Sequence, residues 1–315
     1  MGEAAPLFGT DAAPVPPGAA AEWFAGAGGL QLRAALFPTA GPSRGSVVLS
    51  GGRTEPIEKY FETADELNNR GFTVLCHDWR GQGLSQRLLA ERLKGHQVGY
   101  ADVLNDYADL LAAFETRLPK PWIAIGHSMG GALTALALVT GERRFSAAVL
   151  TAPMFGIFTK PLPPPLVKLL ARGLSRVGLG GGIVPGGSLN APDPPFEENV
   201  LTHDPKRYAR DVGQVTQHPE LALGPPTWGW LDFAFAAIRE LQRGKGAPQV
   251  EIPVVVIAAG DDRLVDNRDL RLVTDRFPKG EYVEIAGAHH EILMETDGVR
   301  AVFWREFDAL AEAMF

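Results

Sequence analysis

A chain of 315 residues, 45% of them hydrophobic, has enough apolar material for one large core or a core carrying an inserted segment. Thirty Lys and Arg against 37 Asp and Glu leave a net charge of −7, which excludes bulk attraction to nucleic acid. The single cysteine, Cys76, excludes an internal disulfide and sits in a strand-like run as a small buried residue. No Lys or Arg precedes Arg33, so the start lacks the charged region of a secretory signal, and no apolar run is long enough to span a bilayer. The expectation is a soluble cytoplasmic protein, with peripheral contact at a membrane surface left open.

In chain order, residues 1–20 are rich in Ala, Pro and Gly and are expected to form a mobile tail. Residues 30–37 and 46–50 are predicted strands, the second closed by Gly51 and Gly52. A helix over 60–70 stops at Gly71, and 72–77 is a strand. Val103, Leu104, Tyr107, Leu110, Leu111 and Phe114 carry the spacing of a helix over 100–118. Residues 122–125 suit a buried strand, 132–138 a buried helix and 147–151 another strand. Past Pro153 the pattern breaks: residues 154–250 hold 13 of the 25 prolines and the run Gly180-Gly181-Gly182. This stretch is expected to be a lid or cap inserted into a core built from residues 21–153 and 251–315. Alternation then resumes, with strands at 254–258 and 282–285 and helices at 269–277 and 299–314. Strands alternating with helices imply a mostly parallel α/β sheet covered on both faces.

Between the strand at 122–125 and the helix at 132–138 stands Gly126-His127-Ser128-Met129-Gly130. A serine on a tight strand-to-helix turn is lifted clear of the backbone, and the helix N-terminus aims free N–H groups at the same point. A serine hydroxyl needs a base, and the base an orienting acid, in the chain order Ser, Asp or Glu, His. Asp261, Asp262 and Asp266 compete as the acid after the strand at 254–258; Asp262 is preferred because it stands one step beyond the strand end, directly before Arg263-Leu264-Val265. His289 and His290 compete as the base, with His290 preferred. His77 and His96 precede the serine and break the order, and His203 and His218 fall in the lid. The oxyanion would be held by backbone N–H groups of Met129 and of Arg53, in the turn Gly51-Gly52-Arg53-Thr54-Glu55-Pro56. This chemistry calls for no cofactor and no metal.

Four blocks carry a family resemblance: Gly52-Arg53-Thr54-Glu55 with Lys59-Tyr60; Gly71 to Val74 leading into Asp78-Trp79-Arg80-Gly81-Gln82-Gly83-Leu84-Ser85; Gly126 to Gly131; and Asp262 to Val265 with Gly287 to His290. From about residue 30 onward the chain resembles the serine aminopeptidase, monoglyceride lipase and lysophospholipase family of α/β-hydrolases, most closely its bacterial lysophospholipase branch. The resemblance implies the α/β-hydrolase fold, nucleophile Ser128, acid Asp262, base His290 and oxyanion donors Arg53 and Met129. Where many members carry His-Gly at the oxyanion turn, this chain has Gly51-Gly52, which removes a side chain that braces the loop. The block from Asp78 to Ser85 is expected to shape a loop beneath the site.

The expected activity is hydrolysis of carboxylic esters through an acyl-enzyme. Phe155, Ile157, Phe158, Leu162, Leu166, Val167, Leu169 and Leu170, with Trp228, Trp230, Phe233 and Phe235, favour a lipid-like ester such as a lysophospholipid or monoacylglycerol, and offer the lid as the place of membrane contact. The rivals are a small-ester carboxylesterase, an N-terminal peptidase that binds an amine through Glu197, Glu198, Asp204 or Asp211, and a non-catalytic ligand binder.

Overall fold

The computed structural model describes residues 2–159, 161–189 and 194–314; residues 160 and 190–193 of the expected lid, and the two terminal residues, lie outside the described residues. Nine strands form one sheet: β1 (Ala4–Ala5), β2 (Ala20–Ala25), β3 (Gln31–Phe37), β4 (Gly45–Ser50), β5 (Phe72–His77), β6 (Trp122–His127), β7 (Ala147–Thr151), β8 (Val254–Ala259) and β9 (Gly280–Ile285). Their order is β1-β2-β3-β5-β4-β6-β7-β8-β9. From β5 to β9 every pairing is parallel, and β1, β2 and β3 add an antiparallel flank. The inner strands β4, β6, β7 and β8 are buried along their whole length, as continuous Val, Ile, Leu and Ala runs require when helices cover both faces. Cys76 is buried in β5, where burial pushes its thiol well up.

Helices α1 (Phe61–Asn69), α2 (Ala101–Phe114), α3 (Ser128–Val139), α7 (Asn267–Thr274) and α8 (Asp297–Glu312) follow the strands closely. α2 buries Val103, Tyr107, Leu110, Leu111 and Phe114 as one stripe. α3 is buried from Met129 to Leu138, because both α2 and α6 (Trp228–Arg243) pack on it.

Two expectations change. Residues 2–20 are tied to the body rather than left as a tail: β1 pairs with β2, the Pro6 carbonyl accepts from Arg33, the Phe8 carbonyl accepts from Gln214, and the Phe8 ring stacks on His218. These are long-range polar and ring contacts, which local composition cannot announce. The insertion between β7 and β8 carries α4 (Pro164–Arg176), α5 (Pro205–Gln217) and α6. Of these, α6 turns Phe233, Ala234, Ala237, Ile238 and Leu241 inward against α3 and so serves as the crossover helix that a parallel β7–β8 pair needs. The rest of the insertion carries α4 and α5.

Candidate active site

Side chains at the carboxyl ends of β4, β6, β8 and β9 converge on one rim of the sheet. β6 ends at His127, and Ser128 begins α3 with φ +50. That left-handed backbone folds the chain sharply enough to raise the hydroxyl above the sheet. The flanking glycines are required by space: a Cβ on Gly126 would lie 2.7 Å from the Gly131 Cα, and one on Gly130 would collide with the carbonyl oxygens of Ser50 and Gly51.

His290 Nε2 lies 2.9 Å from Ser128 Oγ, and His290 Nδ1 lies 2.6 Å from Asp262 Oδ2. Since the carboxylate can only accept, Nδ1 carries the proton and Nε2 is left to accept from the serine hydroxyl. Burial opposes the imidazolium, but the hydrogen bond and charge of Asp262, with Glu291 and Glu55 behind it, hold the His290 pKa above its ordinary value. Burial likewise works against the Asp262 carboxylate; the His290 hydrogen bond and charge, and the Val265 and Leu264 N–H groups at 3.0 and 2.8 Å, outweigh it and hold the pKa low. The neighbouring His127 is kept neutral, its pKa pushed well down by burial and by the charges of His290 and Lys59.

The competitors lie elsewhere. Asp266 caps α7 by accepting from the Arg268 N–H at 3.0 Å. The Asp261 N–H donates to the Ala288 carbonyl and so fixes the spacing of the loops that carry Asp262 and His290. The His289 ring lies against that of His203, with centres 3.7 Å apart and planes tilted by 33°. These two histidines and Glu295 bring their donor atoms within 4.8 Å of one another. The Glu295 carboxylate already accepts from His203 Nδ1 and from the N–H groups of His203, His289 and Thr296, so the trio acts as a clasp between two loops. His77 bonds Ser50 Oγ at 3.0 Å inside the core, where burial lowers its pKa to about 3, and His96 bonds Thr227 Oγ1.

The turn from Gly51 to Pro56, expected to hold an oxyanion, follows β4, and Arg53 and Met129 line the cavity above Ser128. The N–H of Met129 belongs to the first turn of α3, where no intrahelical acceptor exists. The brace that Gly51 seemed to forfeit is supplied by other residues. Trp79 Nε1 donates to the Gly51 carbonyl at 2.9 Å, and Gln82 Nε2 donates to the Gly52 carbonyl at 3.0 Å while its Oε1 accepts from the Thr54 N–H. Glu55 accepts from the Gly52 N–H and, at 2.5 Å, from the Tyr60 hydroxyl. Glu55 had no assigned role in the sequence; its place in the Gly52 to Glu55 block was the one signal available.

Glu55 also opens a buried polar cluster. Lys59 Nζ lies 3.4 Å from Glu55, 3.1 Å from Asp211 and 2.7 Å from Glu291. Burial disfavours the ammonium, yet the three carboxylates raise the Lys59 pKa well above the ordinary value; burial pushes Asp211 and Glu291 up. Of the other lid carboxylates, Asp204 caps α5, and Glu197 and Glu198 are exposed.

A cavity of about 420 Å³ opens over Ser128, lined on its apolar side by Met154, Ile157, Phe158, Trp230, Leu231 and Leu264. Phe155, Val167, Phe233 and Phe235 are packed into the core instead.

Comparison with known proteins fits this arrangement. The chain is 36% identical over 277 residues to lysophospholipase L2 of Escherichia coli (strain K12), covering 81% of this chain and 77% of that protein. It is 25% identical over 276 residues to monoglyceride lipase of Rattus norvegicus, covering 85% and 82%. A soluble variant of monoglyceride lipase from Saccharomyces cerevisiae, solved with a substrate analog, shares the fold with a TM-score of 0.76 over 98% of this chain and 99% of that one, at 18% identity. Residues 41–297 match the family described as serine aminopeptidase, S33 (Hydrolase_4), and the chain belongs to that family of α/β-hydrolases as a carboxylic ester hydrolase.

Proposed function

We propose that the protein is a metal-independent serine hydrolase of lipid esters, acting on a lysophospholipid or a monoacylglycerol. The observation that carries this reading is the continuous hydrogen-bonded chain Ser128–His290–Asp262 at the floor of a largely apolar cavity. Ser128 Oγ attacks the ester carbonyl as its proton passes to His290 Nε2. Asp262 holds the ring in that tautomer and stabilises the imidazolium. Backbone N–H groups of Arg53 and Met129 receive the oxyanion, each worth roughly 10²–10³ in rate. His290 then protonates the departing alcohol, and water repeats the sequence on the acyl-enzyme.

The outer face of the lid supports a lipid substrate. Leu162, Leu166, Leu169 and Leu170 on and before α4 are exposed, Leu169 by 69%, beside Lys168, Arg172 and Arg176. An exposed apolar stripe flanked by cations suits the surface of a bilayer or micelle. Amine recognition is less well supported, because Asp211 is engaged by Lys59.

In a p-nitrophenyl ester series, kcat/KM is expected to rise from acetate to medium-length chains; a steady fall beyond the shortest ester would overturn the lipid reading. The pH profile gives a second check. His290 must be neutral to take the serine proton, and its pKa is raised, so the acid limb of kcat/KM should lie above the ordinary histidine value of about 6.5. Activity falls as pH drops through that limb. In Asp262→Asn the limb should move to lower pH, together with a loss of rate of about 10⁴; a limb that stays in place would show that Asp262 does not set the His290 proton affinity.

A further inference from the structure

Among the described residues no carboxylate pairs with the guanidinium of Arg53. Its backbone belongs to the oxyanion turn, and its residue lines the same cavity as Ser128 and His290. The guanidinium donates through Nη2 to the Gly224 carbonyl, stands 5.4 Å from the centre of the Trp230 ring, and keeps its Nε sealed from water with no partner. A Cβ on Gly95 would lie 2.7 Å from Nη2, so the glycine leaves that flank open for the group. The fully buried arginines are matched: Arg33 lies against Glu58 and Asp78, Arg80 against Asp106, and Arg300 against Glu66. Arg87, half-buried like Arg53, spends its guanidinium on the carbonyls of Gly81, Gly83 and Ala222. Glu55, the acid closest to Arg53 in sequence, is committed to the Gly52 N–H, the Tyr60 hydroxyl and Lys59.

Burial lowers the Arg53 pKa only to about 10, so the group stays charged at neutral pH. A desolvated guanidinium with no carboxylate beside it is held at a cost in stability, and a ligand anion recovers that cost. In a lysophospholipid the phosphodiester is joined to the acyl ester through one glycerol, so its receptor has to stand in the cavity that holds the ester. A second chamber of about 320 Å³ shares Thr54, Leu201 and Glu291 with the cavity over Ser128, and its wall includes Gly224, whose carbonyl accepts from Arg53. That chamber gives the substituent on the phosphate a place to go.

We propose that the Arg53 guanidinium receives the substrate's phosphodiester and makes the protein select lysophospholipids over monoacylglycerols. This rests on the lipid-ester reading above. A planar fork suits a phosphate better than a point charge, so lysine should replace it only in part.

The test compares kcat/KM for a lysophosphatidylethanolamine and a monoacylglycerol with the same acyl chain, both below their micellar concentrations. In the full-length protein the lysophospholipid should be preferred. Arg53→Met should lower the ratio of the two values by roughly 10- to 100-fold, mainly through KM. Arg53→Lys should restore part of it. Any disturbance of the oxyanion turn falls on both substrates and cancels in the ratio. A ratio that Arg53→Met leaves unchanged would overturn the inference while the hydrolase reading stands. If neither lipid is cleaved, the substrate reading fails first, and a binding measurement decides the role of Arg53 separately. sn-Glycerol 3-phosphate should raise the unfolding temperature of the wild-type protein where glycerol does not, and Arg53→Met should abolish that rise. No rise with the wild-type protein, or an equal rise in the variant, would also overturn it.

Discussion

Ser128→Ala is expected to reduce kcat on a p-nitrophenyl ester by roughly 10⁴- to 10⁶-fold, with the unfolding temperature close to that of the wild type. The hydroxyl is the only atom removed, and Ser128 carries its strain in the backbone (φ +50) rather than in the side chain. The elbow therefore survives the change: the steric demands that shape it belong to Gly126 and Gly130. A fluorophosphonate probe should label the wild-type protein and not the variant. Wild-type turnover by purified Ser128→Ala would remove Ser128 from the chemistry. The residual rate has a meaning of its own, because it reads what the oxyanion turn and cavity contribute without a nucleophile.

Arg33→Ala is expected to cost about 3–5 kcal/mol of folding stability, the largest loss foreseen for a residue outside the active site. Arg33 is fully buried in β3, with Nη1 and Nη2 each 2.7 Å from a Glu58 oxygen and Nε 2.7 Å from Asp78. Burial disfavours its charge, yet Asp78 and Glu58 raise the pKa further still. Removing it strands two carboxylates in the interior. Burial already holds the Glu58 pKa up against the pull of Arg33, and losing that cation raises it further, so the folded state would bind more protons. The deficit should accordingly be greatest above neutral pH and shrink as pH falls toward 5, which denaturant melts at pH 8 and pH 5 would show. A loss under 1 kcal/mol at pH 8 would mean that water reaches the stranded acids.

Much of this was legible in the sequence, and the reason is specific. β4 to β8 are continuous apolar runs between glycine- or proline-marked turns, a pattern that a sheet covered on both faces demands. That Ser128, Asp262 and His290 would meet was legible because the elbow fixes one position and chain order restricts the others to the ends of two later strands. His290 was preferred over His289, though spacing alone does not separate them; in the structure Glu295 accepts from the His289 N–H and the His289 ring lies against His203. β1 and β2 were not legible, since alanine-rich segments carry no alternation, and their anchor is an ion-paired arginine whose partners lie 25 and 45 residues away. The bracing role of Glu55 was hidden for a similar reason: it depends on Trp79, Gln82 and Tyr60 arriving from other parts of the chain. α6 was read with the lid because prolines surround it, although its inward residues repeat with the spacing of a core helix.

The cluster at Lys59 divides the insertion into two halves of different character. α5 is riveted to the core: Asp211 reaches Lys59, while Arg207 and Arg210 both grip Glu62 of α1. α4 has no such rivets among its described side chains, and presents leucines outward. Evolution can thus rewrite the outward face of α4 to suit a different interface, while the fastened half keeps its hold beside Glu291 and His290. The two halves of the insertion become separately adjustable parts of one scaffold.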